Sequence, residues 1–80
     1  MLTLFTSSPC GMCAVMKGWL DDLKVAYHQV DIDLVPEARR VLRGIARGQL
    51  AVPTIILDNG RVLVEPQRDQ LLAALRQRAD

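Results

Sequence analysis

The chain has 80 residues, half of them apolar, with ten basic and nine acidic side chains and a formal net charge of +1. This length allows one domain, over residues 1–80, and the apolar fraction suffices for a core without disulfide crosslinks. The near-neutral charge argues against nucleic acid as a partner. No apolar run is long enough to cross a membrane, so no membrane association is expected.

The amino-terminal segment lacks the features of a secretion signal. Residues 1–6 contain no basic residue, and their apolar stretch is short. We therefore expect the protein to be cytoplasmic, in a compartment where structural disulfides are rare. Two cysteines three positions apart under reducing conditions point to redox or metal chemistry.

The first half of the chain predicts a strand, a helix, a second strand and a second helix. Residues 2–6 alternate apolar and polar side chains, as a strand does, and Pro9 lies in the segment that ends it. Apolar residues then recur at helical spacing, namely Met12, Met16, Trp19, Leu20 and Leu23. Residues 26–32 return to period two. Asp33 is the predicted N-cap of a second helix that has Pro36 in its first turn.

The second half predicts a hairpin followed by a helix. The apolar run 55–57 is typical of a buried central strand. Asn59 and Gly60 predict a type I′ turn, because both residue types tolerate positive φ, and residues 61–64 return as the next strand. After Pro66, three leucines at helical spacing predict the last helix.

These elements together predict an α/β fold. The first βαβ unit requires two parallel strands joined by a right-handed crossover. The hairpin makes the third and fourth strands antiparallel. The expected architecture is a mixed four-stranded sheet with three flanking helices.

The motif Cys10-Gly11-Met12-Cys13 falls at the junction of the first strand and the first helix. Unpaired N–H groups and a partial positive charge at a helix N-terminus stabilise a thiolate, so Cys10 should have a lowered pKa and act as the nucleophile. Cys13, one turn further along, should be more buried and should resolve the mixed disulfide. Gly11 leaves the approach to Cys10 open, and Met12 offers an apolar contact surface.

Metal binding is the rival interpretation of the two cysteines. The chain has no other cysteine and one histidine, so a single chain cannot supply four zinc ligands. No metal site is therefore expected within one chain. A homodimer that pools Cys10 from each chain around zinc or an iron–sulfur cluster stays open, as does a non-catalytic adaptor that keeps the fold.

The segment Val52-Pro53-Thr54 precedes the third strand. A cis bond at Pro53 would leave the N–H and C=O groups of Val52 unpaired and facing the cysteines, where an extended substrate could bind as an added strand. A trans proline that only begins a strand is the alternative.

The CxxC motif, the Val52-Pro53-Thr54 turn and the hairpin followed by a last helix resemble glutaredoxins of the thioredoxin superfamily over nearly the whole chain. The resemblance is greatest to mycoredoxin-type glutaredoxins with a CGxC motif. It implies a thioredoxin fold with sheet order 2-1-3-4 and a cis-proline at Pro53. It also implies that Val52 and Asp69, which opens the last helix, hold the small thiol. The predicted substrate-binding residues are Val52, Pro53 and Asp69, with Pro9, Gly11 and Met12 around the cysteines.

The resemblance implies a dithiol oxidoreductase that acts on protein disulfides or on mixed disulfides between proteins and small thiols. No bound cofactor is expected, and the protein is expected to be a monomer. The reductant would be glutathione, mycothiol or bacillithiol, or a reductase of the thioredoxin-reductase type, as for NrdH-like redoxins. This chain departs from the common glutaredoxin pattern at three places. Gly11-Met12 replaces Pro-Tyr, Pro66-Gln67 replaces a Gly-Gly pair, and Ser7 or Ser8 stands where a basic residue often precedes the active site.

Overall fold

The computed structural model describes residues 1–78 and contains seven elements in the predicted order. The strands are β1 (Leu2–Thr6), β2 (Tyr27–Asp31), β3 (Thr54–Ile56) and β4 (Val62–Val64). The helices are α1 (Gly11–Asp22), α2 (Pro36–Ile45) and α3 (Arg68–Arg78). In this part of the chain, no helix has the length and apolar character needed to cross a membrane.

The four strands form one mixed sheet in the order β2-β1-β3-β4. Strand β1 pairs with β2 in parallel and with β3 in antiparallel orientation, and β3 pairs with β4 in antiparallel orientation. The order and the pairing confirm the architecture that the resemblance implied. Strands β1 and β3 are the two central strands and run antiparallel. The C-terminal end of β1 and the N-terminal end of β3 therefore lie side by side at the same end of the sheet.

The core lies on both faces of the sheet, because alternate residues of β1 point in opposite directions. Leu2 and Leu4 pack on one face with α1, α3 and β3. Phe5 packs on the other face with α2. The first cluster consists of Leu2, Leu4, Met16, Leu20, Ile55, Leu57, Leu71 and Ala74. Helix α1 therefore packs on the sheet through its buried side, and its N-terminus lies beyond the C-terminal end of β1.

The predicted cap of α2 is wrong. The N-cap residue is Val35, which makes no side-chain cap hydrogen bond, and Pro36 is the first helical residue. The Asp33 carboxylate instead accepts hydrogen bonds from the backbone N–H of Ser8 at 3.0 Å and from the Arg39 guanidinium at 2.8 Å. The Asp33 oxygen atoms thus accept hydrogen bonds from Ser8 and Arg39 and do not cap the N-terminus of α2.

The hairpin between β3 and β4 exists, but its predicted type I′ turn is wrong. Only Gly60 of the Asn59-Gly60 pair has positive φ, at +89°. The Gly60 N–H donates to the Leu57 carbonyl at 2.9 Å, and the Asn59 side chain accepts from the Arg61 N–H at 2.9 Å. Residues 58–60 therefore form a three-residue loop with glycine in the left-handed position, a common hairpin alternative.

Candidate active site

Cys10 is the N-cap residue of α1, as the strand-to-helix junction predicted. Its backbone is extended, with φ of −119° and ψ of 100°, and its Sγ accepts a hydrogen bond from the Cys13 N–H at 3.1 Å. The two cysteines form a disulfide, with their Cα atoms 5.3 Å apart. The first turn of α1 therefore brings both sulfur atoms together and presents Cys10 Sγ to the positive end of the helix dipole.

The two cysteines differ in accessibility. Cys13 is 2% exposed, whereas Cys10 is only partly buried. Gly11 is exposed, and a Cβ added there would meet no atom within 4 Å. Of the two sulfur atoms, Cys10 Sγ is thus the one that an external molecule can approach.

The Val52–Pro53 bond is cis, as the resemblance implied. The Pro53 carbonyl accepts a hydrogen bond from the Glu65 N–H at 2.9 Å, and the buried Thr54 hydroxyl donates to the Ala51 carbonyl at 2.7 Å. Within residues 1–78, neither the N–H nor the C=O of Val52 has a hydrogen-bond partner. The turn is therefore held on both sides of Val52, while the backbone of Val52 itself is available.

A cavity of about 170 Å³ lies between the start of α1 and the Val52–Pro53 turn. Its walls are mostly apolar, and they include Met12, Val52 and Pro53, three of the residues predicted to bind the substrate. It is lined by Met12, Val52, Pro53, Glu65 and Pro66. We name this cavity the proline groove.

A second surface cavity, the helix groove, continues from the proline groove between α1 and α3. The two grooves share Met12, Glu65 and Pro66. The helix groove is lined by Met12, Trp19, Glu65, Pro66, Gln67, Arg68, Asp69 and Leu72. Asp69 thus lines the helix groove, whereas Val52 lines the neighbouring proline groove. Pro9 and Gly11 are exposed, and neither lines these two grooves among the described residues.

Six of the lining residues were not predicted as part of the site, among them Trp19 and Glu65. Trp19 was expected only as one of the apolar residues that define α1, yet it is partly exposed and lines the helix groove. Glu65 was given no role from the sequence. It directly precedes Pro66-Gln67, the pair that replaces the family's Gly-Gly pair, and this departure is the sequence signal that could have indicated it.

The loop that leads to Cys10 is held by Asp33. The Ser8 N–H donates to one carboxylate oxygen, and Arg39 donates to the other. Arg39 also donates through Nε to the Ile32 carbonyl at 3.1 Å. The Ser8 hydrogen bond first, and the Arg39 hydrogen bond second, lower the pKa of Asp33. The segment between β1 and α1 is thereby tied to the segment between β2 and α2.

Side chains that ligate metals are dispersed over the described part of the chain. Within residues 1–78, no group of three or more His, Cys, Asp and Glu side chains is arranged to hold a metal ion.

Comparison with known proteins places these features in a family. The Glutaredoxin family model matches residues 2–62, which span the CxxC motif, the cis-proline turn and most of the sheet. The chain is 34% identical over 74 residues to "Putative glutaredoxin MT3292" of Mycobacterium tuberculosis (strain CDC 1551), a match that covers 92% of this chain and 88% of the relative. It is 32% identical over 59 residues to "Glutaredoxin-like protein NrdH" of Lactococcus lactis subsp. cremoris, covering 74% and 79% of the two chains.

The fold has solved counterparts as well. The crystal structure of the thioredoxin-like protein BC3987 superimposes with a TM-score of 0.81 at 25% identity, over 91% of this chain and 97% of that chain. The structural similarity supports the fold, and the family match includes the CxxC motif and the cis-proline turn. The chain is therefore a redox protein with a cysteine pair, and it belongs to the glutaredoxin family of the thioredoxin superfamily.

Proposed function

We propose that the protein is a dithiol thiol–disulfide oxidoreductase in which Cys10 is the nucleophile and Cys13 is the resolving thiol. The observation that carries this proposal is the position of Cys10 Sγ, which caps α1 and accepts the Cys13 N–H at 3.1 Å. A hydrogen bond to the sulfur and the positive end of the helix dipole both favour the thiolate, which is the attacking species.

The catalytic cycle begins with the reduced pair. The Cys10 thiolate attacks one sulfur of a substrate disulfide, forms a mixed disulfide and releases the other substrate half as a thiolate, which takes a proton from solvent. Cys13 then loses its proton and attacks Cys10 Sγ, which releases the second substrate half as a thiol. The substrate gains two electrons and two protons, and the protein is left with the Cys10–Cys13 disulfide.

The burial of Cys13 supports this division of roles. A thiol that is 2% exposed does not meet a large substrate, but it lies one helical turn from Cys10 and can attack an intermediate held there. Burial in apolar surroundings also raises the pKa of a thiol, so Cys13 stays protonated while Cys10 reacts.

The free backbone of Val52 is the proposed docking point for an extended substrate. A substrate strand that pairs with both Val52 groups would lie along the proline groove, with Met12 against its side chains. Pro9 and Gly11 would contact the substrate next to the reacting sulfur, and Asp69 would contact it at the helix groove. The proposed substrates are protein disulfides and mixed disulfides between proteins and small thiols.

The reductant that regenerates the dithiol is proposed to be a small thiol, namely glutathione, mycothiol or bacillithiol, and no bound cofactor takes part. A flavoprotein of the thioredoxin-reductase type is the alternative. The similarity to "Glutaredoxin-like protein NrdH" of Lactococcus lactis supports keeping that alternative.

A parallel reduction assay tests the function and separates the reductants. The oxidised protein is incubated with each small thiol and with thioredoxin reductase plus NADPH, and the appearance of free Cys10 and Cys13 thiols is measured by alkylation and mass spectrometry. We expect at least one reductant to open the disulfide and the reduced protein to reduce a neutral test disulfide, an activity that Cys10→Ser abolishes. Activity that persists in Cys10→Ser would overturn the proposal.

A further inference from the structure

Glu65 occupies a backbone position that suits glycine. It follows β4, and its φ is +47°, in the left-handed region that residues with a Cβ rarely adopt. Its N–H donates to the Pro53 carbonyl at 2.9 Å, so the residue is tied to the cis-proline turn. The turn itself does not explain a glutamate here, because glycine would form the same hydrogen bond with less strain.

Glu65 introduces a charge into the proline groove, which is otherwise apolar. Among residues 1–78, Glu65 is the one charged residue that lines the proline groove, whose other lining residues are Met12, Val52, Pro53 and Pro66. The helix groove adds one basic and one further acidic side chain, Arg68 and Asp69. The described residues that line the two grooves therefore carry a net negative charge.

A carboxylate beside an apolar wall acts on charged ligands more strongly than one surrounded by water. It attracts an ammonium or guanidinium group of a bound ligand and repels a carboxylate, so it discriminates between ligands of equal size and opposite charge. Glutathione carries two carboxylates and one ammonium group, so its net negative charge would oppose binding beside this carboxylate.

We propose that Glu65 sets the charge preference of the proline groove, so that Cys10 acts preferentially on disulfides with a positive charge close to the sulfur. In a protein substrate, this is a disulfide flanked by lysine or arginine. Glu65 thus acts as a specificity-determining residue. The inference rests on the proposed function, since it concerns the disulfides that Cys10 attacks.

Three disulfides of similar size and different charge test the proposal. Cystamine is a dication, bis(2-hydroxyethyl) disulfide is neutral and 3,3′-dithiodipropionate is a dianion. Each is mixed with pre-reduced protein at neutral pH and low salt, and the single-turnover rate constant is measured from the loss of protein thiols. Every rate constant is expressed as the ratio of wild type to Glu65→Gln, which cancels the intrinsic reactivity of each disulfide.

We expect this ratio to be about threefold higher for cystamine than for the neutral disulfide, and about threefold lower for the dianion than for the neutral disulfide. A threefold change is the effect of one unit charge about 7 Å away in water. Glu65→Lys should reverse the order, and raised salt should reduce both effects. The neutral disulfide reports any general change in Cys10 reactivity. Asp22→Asn is the control, because it removes the same charge at the other end of α1, about 18 Å from Cys10.

Equal ratios for the three disulfides, or the same charge-dependent shifts in Asp22→Asn, would overturn the assignment to Glu65. Failure of the proposed function is a different result, because the reduced wild type would then react with none of the three, including the neutral disulfide.

Discussion

The Asp33 carboxylate accepts the backbone N–H of Ser8 at 3.0 Å, across 25 positions of sequence. This hydrogen bond joins the loop that precedes Cys10 to the loop that precedes α2. Arg39, from the first turns of α2, donates to the other oxygen of the same carboxylate at 2.8 Å. The position of the active-site loop is thus determined partly by a residue outside the CxxC motif.

The pH dependence of stability follows from this contact. The pKa of Asp33 is lowered, first by the Ser8 hydrogen bond and then by Arg39, so the folded state favours the ionised carboxylate. Its contribution is fully present above the pKa of an unfolded aspartate, about 4, and is lost as pH falls through the lower folded-state pKa. Asp33→Asn should therefore destabilise the protein at neutral pH, and the difference from wild type should shrink in acid.

Urea denaturation at neutral pH and near pH 3 checks this expectation. The control is Asp22→Asn, which removes an exposed carboxylate at the end of α1. A destabilisation by Asp33→Asn that is equal at both pH values would contradict the assigned role of the ionised carboxylate.

Much of the fold was predictable because it depends on local patterns. Period-two alternation identified β1 and β2, helical spacing identified the helices, and the apolar run 55–57 with the Asn59-Gly60 pair identified β3 and β4. The crossover rule and the hairpin determined which strands run parallel. Cys10 at the start of α1 followed from the same order of elements. The strand order came from the family resemblance, because no local pattern specifies which strands are neighbours.

The wrong predictions concern residues whose partners lie elsewhere. Aspartate is a preferred N-cap residue, but the Asp33 carboxylate accepts hydrogen bonds from Ser8 and Arg39 instead. Asn59 and Gly60 fit a type I′ turn, yet the register between β3 and β4 admits three loop residues, with Gly60 alone at positive φ. The positive φ of Glu65 was equally unpredictable, because glutamate gives no local signal for it.

Two glycines should respond in opposite ways to alanine. Gly18 lies in the interior of α1, where an added Cβ meets no atom within 4 Å, so Gly18→Ala should stabilise the protein by about 1 kcal/mol. Gly60 has equally open surroundings but a φ of +89°, so Gly60→Ala should destabilise it by about 1 kcal/mol or more. Thermal or urea unfolding measures both, and a stabilising Gly60→Ala would contradict the turn described here.

Neighbouring positions of α2 provide a test of the core. Leu42 is fully buried with Phe5 and Ile32, whereas Val41 is 51% exposed. Leu42→Ala should cost about 2–5 kcal/mol in unfolding free energy because it leaves a cavity. Val41→Ala should change stability by about 0.5 kcal/mol or less. Similar losses for the two variants would show that α2 packs on the sheet through a different face.

The order of the two chemical steps predicts a trapped intermediate. In Cys13→Ser the resolving thiol is absent, so the mixed disulfide between Cys10 and the substrate should accumulate. Intact mass spectrometry after reaction with a small disulfide should show the protein plus one substrate half. Cys10→Ser is the matched variant, and its buried Cys13 should form far less adduct. Equal adduct in both variants would contradict the division of roles.

We infer that the start of α1 makes Cys10 the reactive thiolate. The most direct measurement is the pH dependence of Cys10 alkylation by iodoacetamide in the Cys13→Ser variant. This variant keeps the backbone N–H of residue 13, which donates a hydrogen bond to Cys10 Sγ. The pKa of the Cys10 thiol is expected to lie below the ordinary cysteine value of about 8.5. A Cys10 thiol that titrates at or above that ordinary value would contradict the account.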